Sequence, residues 1–337
     1  MSARGLGVAM RRREFLGLLA GTAAAGWPSG PSAQQAPARI GLLASGAATS
    51  AISAAQLVII KQALRENGLV EGRDYVLDAR YAAGHYELFP DMARELAQAG
   101  ARVILTNTIA SVRAAQQLVP PVAVVMASIN DPIGTGLIAS LAKPGNHTTG
   151  LATLNEDLTP KLLEFQRAVL PATKVLGVLF NPANPTNVSF AENLRKQAGA
   201  MGMTIMPAPL TSPDTLDDTI SSLAAQRPDA LHVLSDSGLI DLSDRIAALA
   251  LANRLPSFST SPTVVEFGGL LAYGAPRGKL IQRSAYFIKR ILDGADPGEL
   301  PVEQPRQIEL WINLKTAAAL GLDMPLQLQQ LADHVIE

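Results

Sequence analysis

Short apolar runs ending in small or polar residues recur along this chain, and each is followed by a stretch with helical spacing. Residues 39–45 predict a buried strand, and 51–67 predict a helix that Gly68 stops. Residues 75–81 alternate and predict a more exposed strand, then 88–99 a helix ended by Gly100. A strand at 103–106, a helix at 111–118 and a strand at 122–127 continue the series. The order then restarts with a strand at 174–180, a helix at 187–201 stopped by Gly202, and a strand at 204–208. A helix at 214–225, a strand at 230–234, a helix at 239–253 and a short strand at 257–259 follow. This is the strand–helix–strand pattern of parallel, doubly wound sheets.

The two series align as a weak internal repeat, with Gly41 matching Gly177 and Ser45 matching Asn181. The expected fold class is therefore α/β, with two doubly wound parallel-sheet lobes joined by a three-segment hinge. Three segments are candidates for the crossings: 149–153, 271–276 and 300–305. Between the last two lies a strong helical pattern, 279–292, which returns to the first lobe if it packs there. The expected limits are 38–151 plus 275–300 for lobe 1, and 152–274 plus 301–337 for lobe 2. Three crossings make a hinge, and a hinge between lobes makes a cleft that closes on a ligand.

Composition narrows the chemistry. With 337 residues, 48% of them hydrophobic, the chain is long and apolar enough for two cores. It has no Cys, which excludes disulfides, Cys-bound metals, a thiol nucleophile and a Cys-linked lipid anchor. A net charge of -1 gives no basic surplus for nucleic acid. The N-terminus reads as an address. Arg12-Arg13-x-Phe15-Leu16, an apolar stretch to about Gly26 and small residues at 28–33 predict a twin-arginine export signal cleaved near Ala33. The signal is complete from Met10, so Met1 and Met10 are both possible starts. Cleavage removes four Arg and one Glu, which moves the net charge from -1 to -4. A periplasmic protein is expected, since no later stretch has the ~18 uninterrupted apolar residues of a membrane helix.

Enzyme signatures are weak. Gly134-x-Gly136-x-x-Ala139 formally matches a dinucleotide fingerprint, but the preceding strand ends near Ala127, too early to aim a helix N-terminus at a pyrophosphate. The two glycines are expected to lighten a closely packed helix instead. Gly274 to Lys279 has the wrong spacing for a phosphate loop, with Leu280 where a hydroxyl belongs. The four histidines stand apart, and His232 interrupts an apolar strand as a core side chain would. No cofactor, no metal and no catalysis are expected.

In doubly wound sheets, ligands bind beyond the carboxyl ends of the strands. Here those ends are polar and almost uncharged. Several precede helices, whose first N–H groups lack intrahelical partners and suit a carboxylate. Asp236 suits a ligand ammonium, and Tyr273 stands at a crossing. The candidate ligand-binding residues are Ser45, Gly46, Thr106, Asn107, Thr108, Ser128, Asn130, Asp131, Asn181, Asn184, Asp236, Ser259 and Tyr273. Caps and turns use the same residue types. The weight therefore rests on the set, in which all six strand ends are small and polar.

Several longer stretches occur in a distinctive order: Gly68-Leu69-Val70-Glu71-Gly72, Asn130-Asp131-Pro132-Ile133-Gly134-Thr135-Gly136-Leu137, Leu141-Ala142-Lys143-Pro144-Gly145-Asn146-His147-Thr148-Thr149-Gly150, Asn181-Pro182-Ala183-Asn184-Pro185, Tyr273-Gly274 and Ile312-Asn313-Leu314-Lys315-Thr316-Ala317. Through these and Arg12-Arg13-Glu14-Phe15-Leu16, the chain resembles the tryptophan/tyrosine-transport-like family of ABC transporter substrate-binding proteins. The resemblance implies a type I periplasmic binding fold and delivery of a small ligand to an ABC permease in the cytoplasmic membrane. A monomeric solute receptor for an amino acid or small carboxylate is the expectation. An extracytoplasmic sensor of the same fold, feeding a membrane kinase or chemoreceptor, is the alternative. An exported hydrolase would need a nucleophile with a base in reach, and no such pair is visible.

Overall fold

The structure is a computed structural model, and it describes residues 36–153 and 155–337. The export signal expected at 1–33 lies outside the described residues. The first sheet is built from β1 (Ala38–Ala44), α1 (Ala51–Glu66), β2 (Tyr75–Tyr81), α2 (Phe89–Gln98), β3 (Ala101–Thr106), α3 (Ile109–Gln116), β4 (Ala123–Asn130) and β5 (Thr148–Thr153). Its strands run in the order β2-β1-β3-β4-β5, all parallel. Parallel strands need covering on both faces, which is why β1 and β3 are continuous apolar runs.

The chain then forms α4 (Thr159–Val169), β6 (Val175–Phe180), α5 (Pro185–Ala200), β7 (Thr204–Pro209), α6 (Leu216–Ala225), β8 (Ala230–Val233), α7 (Ser237–Ile240), α8 (Ser243–Ala252), β9 (Ser257–Ser259), α9 (Thr263–Glu266) and β10 (Leu271–Gly274). After α10 (Arg277–Leu292) come β11 (Glu309–Asn313), α11 (Leu314–Leu320), α12 (Leu326–Leu331) and β12 (His334–Ile336). The second sheet has the order β12-β11-β10-β9-β8-β6-β7. It is parallel except that β11 meets β10 antiparallel.

One helix reverses the chain's path. On α10, Leu280, Ile281, Ala285, Phe287, Ile288 and Ile291 recur at helical spacing and pack with Ile40, Leu42, Val103 and Val125 of the first sheet. The chain thus returns from β10 to the first lobe and leaves again through 301–308. There Leu151 bridges Glu303, so the two outer crossings lie side by side.

The structure corrects four details. Gly134 and Gly136, expected in a closely packed helix, lie instead in consecutive turns in which Gly136 has φ 72°. The helix expected at 239–253 is broken at Asp241, whose carboxylate is taken up by contacts with the first lobe. The strand β4 runs on to Asn130, so Ser128 and Asn130 are strand residues. Strands β11 and β12 went unforeseen because 5 and 3 residues leave little periodic signal.

His232 is a core residue. On β8 it is 2% exposed, stacks on Phe258 with ring centroids 5.7 Å apart, and bonds through Nε2 to Gln166 Oε1 of α4. Burial pushes its imidazole down to about 4. The folded chain keeps it neutral, whereas the unfolded chain takes a proton from about pH 6.5 downward. Its contribution is therefore complete above pH 6.5 and is lost as pH falls toward 4, by about 3 kcal/mol. Urea unfolding at pH 7 and pH 4.5 should show this loss in the wild type. The loss should be smaller by most of that amount in His232→Gln.

Candidate functional site

Both sheets point their carboxyl strand ends at one another, and a cavity lies between them, lined from both lobes and by the start of α10. Helix starts supply much of its wall. Thr108 caps α3 by accepting from Ser111 N at 3.0 Å, in a reciprocal capping box with Ser111. Asn184 caps α5, with Pro185 at the first helical position. Asp236 caps α7 and accepts from Gly238 N at 2.9 Å and Leu239 N at 3.2 Å.

Asp236 does more than cap. Its carboxylate is 5% exposed and also accepts from Asn184 Nδ2 at 2.7 Å and Asn181 Nδ2 at 3.3 Å. The Tyr86 hydroxyl approaches it from the first lobe at 3.5 Å. Burial pushes the carboxyl above its ordinary value, against the downward pull of Asn184, Asn181 and the two backbone N–H groups. It joins no ion pair among the described residues, and Arg277, which lines the same cavity, pairs with Asp241. Burial, with the two aspartates nearby, also holds the Tyr86 phenol well above its usual value, so it stays a neutral donor.

Polar contacts hold the lobes together. Ser45 Oγ, beyond β1, donates to Asp241 Oδ2 at 2.5 Å, and Ser45 is itself fixed by Asn107 Nδ2 at 3.1 Å. Ser237 Oγ donates to the Asn107 carbonyl oxygen. Arg277 Nη1 donates to Asp241 Oδ1 at 3.0 Å, and Nη2 to Gln56 Oε1 at 3.4 Å. The Arg277–Asp241 pair is buried, with side-chain exposures of 11% and 5%. One glycine permits the close approach of the lobes, since a Cβ at Gly238 would meet the Tyr86 hydroxyl. Within the second sheet, a Cβ at Gly274 would overlap the Thr260 carbonyl oxygen.

The expected residues separate into groups. Asn107, Thr108, Ser128, Asn130, Asn184 and Asp236 line the cavity together. Asn130 is partly occupied, since Nδ2 bonds the Glu156 carboxylate at 3.0 Å and Oδ1 accepts from Asn155 N at 2.9 Å. Ser45 and Gly46 line a separate interlobe recess beside Asp241, where they close the lobes. Asn181 reaches Asp236 from an adjoining recess. The other four face elsewhere. Thr106 bonds the Val125 carbonyl inside the first sheet at 3.4 Å, and Ser259 bonds Val233 O at 2.8 Å. Asp131 folds back on Gly134 N at 2.8 Å. Tyr273 packs edge-on against Phe165 in the second core, 5.3 Å between centroids.

Gln56, Arg277 and Asp241 were not expected, although each left a signal. The spacing of Ile52, Gln56, Ile60 and Ala63 puts an amide on the buried face of α1. Arg277 places a cation in the first turn of a helix, where the dipole disfavours it. Asp241 interrupts an apolar helical pattern.

The sequence model of the family described as "ABC transporter substrate binding protein" matches residues 52–336. A curated tyrosine-binding protein of Clostridioides difficile (strain R20291) is 24% identical over 262 residues, 77% of this chain and 75% of that protein. A conserved domain protein of Vibrio cholerae O1 biovar El Tor has a solved structure with TM-score 0.78 and 23% identity, covering 88% of this chain and 99% of that one. The ABC domain of Streptococcus pneumonia in complex with L-Trp gives TM-score 0.76 at 24% identity, covering 89% and 100%.

Removing Asp241's charge leaves Arg277 buried without its anion, a cost of several kcal/mol that falls on the closed arrangement. In Asp241→Asn, small-angle scattering without ligand should show a larger radius of gyration than the wild type. Identical scattering curves would remove Asp241 from the closing contacts.

Proposed function

The chain belongs to the ABC transporter substrate-binding protein family, and we propose from that premise that it captures a free amino acid in the interlobe cleft. The observation that carries this reading is Asp236, a buried carboxylate surrounded by neutral donors and without a cation partner among the described residues. A ligand ammonium supplies the missing charge in a site where water is excluded and the attraction is strong. The start of α3 faces the same cavity, and its first N–H groups, beyond those used by the Thr108 cap, are disposed to take the ligand carboxylate. An ammonium and a carboxylate on one carbon fit this pair of poles. Ile109, Ile129, Ile240, Leu280 and Ile281 offer apolar surface to the side chain. The relatives above, one named as tyrosine-binding and one solved with L-Trp, support an amino acid.

Family and fold support a role in transport. Ligand bridging the two lobes favours the closed form, since it binds that form better than the open one. In this reading the closed, monomeric receptor then docks on an ABC permease in the cytoplasmic membrane, after export through the signal at 1–33. No helix among the described residues is long and apolar enough to cross a membrane. The lobe limits, 38–151 with 275–300 and 152–274 with 301–337, belong to the same proposal.

A panel of the twenty amino acids in a thermal-shift assay tests the reading. At a hundredfold excess over Kd, a true ligand adds about 2.7 kcal/mol, which raises Tm by roughly 5 °C. Asp236→Asn should weaken that ligand by about a hundredfold, as expected when one partner of a buried charged pair is lost. Affinity should also fall as the pH drops, beginning at a higher pH than an ordinary aspartate would dictate, because burial raises the Asp236 carboxyl. No shift with any amino acid, and none co-purifying in mass spectra of the denatured protein, would end the reading.

A further inference from the structure

Two polar atoms from opposite lobes stand unpartnered at this cleft. Gln56 on α1 and Thr260 just beyond β9 are 5% and 3% exposed, and both line the cavity. The Gln56 Nε2 amide and the Thr260 Oγ1 hydroxyl are buried and have no hydrogen-bond partner among the described residues. The other end of the Gln56 amide is occupied. Arg277, which can only donate, donates Nη2–H to Oε1 at 3.4 Å, and this leaves the Nε2 hydrogens as the free function. The other unpartnered atoms, on Thr159, Gln166 and Gln197, do not line this cavity. A buried donor without an acceptor is costly, and an oxygen on the bound molecule relieves both of these at once.

Sheet order places them relative to Asp236. Asn184, Asp236, Thr260 and Arg277 follow β6, β8, β9 and β10, which are successive neighbours in the second sheet. Neighbouring strands lie about 4.8 Å apart, so Thr260 stands one strand beyond Asp236, on the side away from Asn184. Gln56 faces the next station, where it meets Arg277. Ala275, Leu280 and Ile281 line the wall there. With the ammonium on Asp236 and the carboxylate at the start of α3, this corner is left for the ligand side chain.

We propose that Gln56 and Thr260 form a side-chain subsite for an oxygen acceptor, so that the preferred ligand is an amino acid carrying a hydroxyl or carbonyl oxygen on an otherwise apolar side chain. The inference rests on the amino-acid reading above. Because the two residues belong to different lobes, the same oxygen also ties the lobes together. An apolar analogue leaves both groups unpaired, which is how a hydrogen-bonding site rejects the molecule lacking the oxygen.

Calorimetric titration with matched pairs tests the subsite: tyrosine against phenylalanine, and threonine against valine. In the pair that binds, the oxygen-bearing member should bind at least about tenfold more tightly. Gln56→Leu and the near-isosteric Thr260→Val should each bring that ratio within about threefold, mainly by weakening the oxygen-bearing member. Thr260→Val keeps the test decisive if Gln56→Leu, which also deprives Arg277 of an acceptor, fails to fold. Equal affinities within each binding pair overturn the subsite while the amino-acid reading stands. So does an equal loss for both members in the variants. Binding of no amino acid overturns both.

Discussion

Enclosing the Asp236 carboxylate between two lobes strips it of water at a cost of several kcal/mol, and the amides and backbone N–H groups around it return only part of that. Its carboxyl is displaced upward for this reason. A guanidinium lines the same cavity. This group, on Arg277, pairs instead with Asp241. The arrangement neutralises Asp241 and leaves Asp236 without an ion-pair partner among the described residues, which in the proposed reading is the place of a ligand cation. A binding protein needs this imbalance, because a site satisfied by its own side chains has nothing to gain from a ligand.

The contacts that close the lobes are few and polar. At the cleft they include Ser45 with Asp241, Ser237 with the Asn107 backbone, Tyr86 near Asp236, and Arg277 between Gln56 and Asp241, and nearer the crossings Lys279 with Glu309. The large apolar clusters lie within each lobe, around β1, β3 and α10 on one side and β6, β8 and α4 on the other. Stability and closure are thus carried by different interactions. Opening the cleft breaks hydrogen bonds that water replaces, and leaves the cores intact. The free energy between open and closed states is therefore within reach of a ligand's differential binding.

In the proposed reading, helix capping and ligand binding draw on the same residues. A residue that ends a strand and starts a helix must satisfy exposed N–H groups, and Thr108, Asn184 and Asp236 do so. In a doubly wound sheet every such residue falls at the same edge, where the two lobes meet. Local folding rules therefore populate the cleft with small polar side chains before any ligand is considered. In the proposed reading, what turns a capped edge into a recognition site is a charge at Asp236 without an ion-pair partner among the described residues, with groups at Gln56 and Thr260 that lack hydrogen-bond partners among them.

Strand and helix order, the doubling of the sheet and the polar character of the strand ends were all legible in the chain, because period-2 and period-3.6 patterns and glycine stops are local. Asn107, Thr108, Ser128, Asn130, Asn184 and Asp236 could be named for the same reason, since a strand end is recognisable without its neighbours. Which of these ends face the cavity was decided in three dimensions. Thr106 and Ser259 turn inward to adjacent strands, and Tyr273 joins a core that begins at Leu162. Gln56, Asp241 and Arg277 meet across separations of 36 and 221 positions, a coincidence that only the return of α10 to the first lobe brings about. Pattern along a chain reports what each segment buries. It carries no record of which buried polar group will find a partner, because that depends on the other lobe.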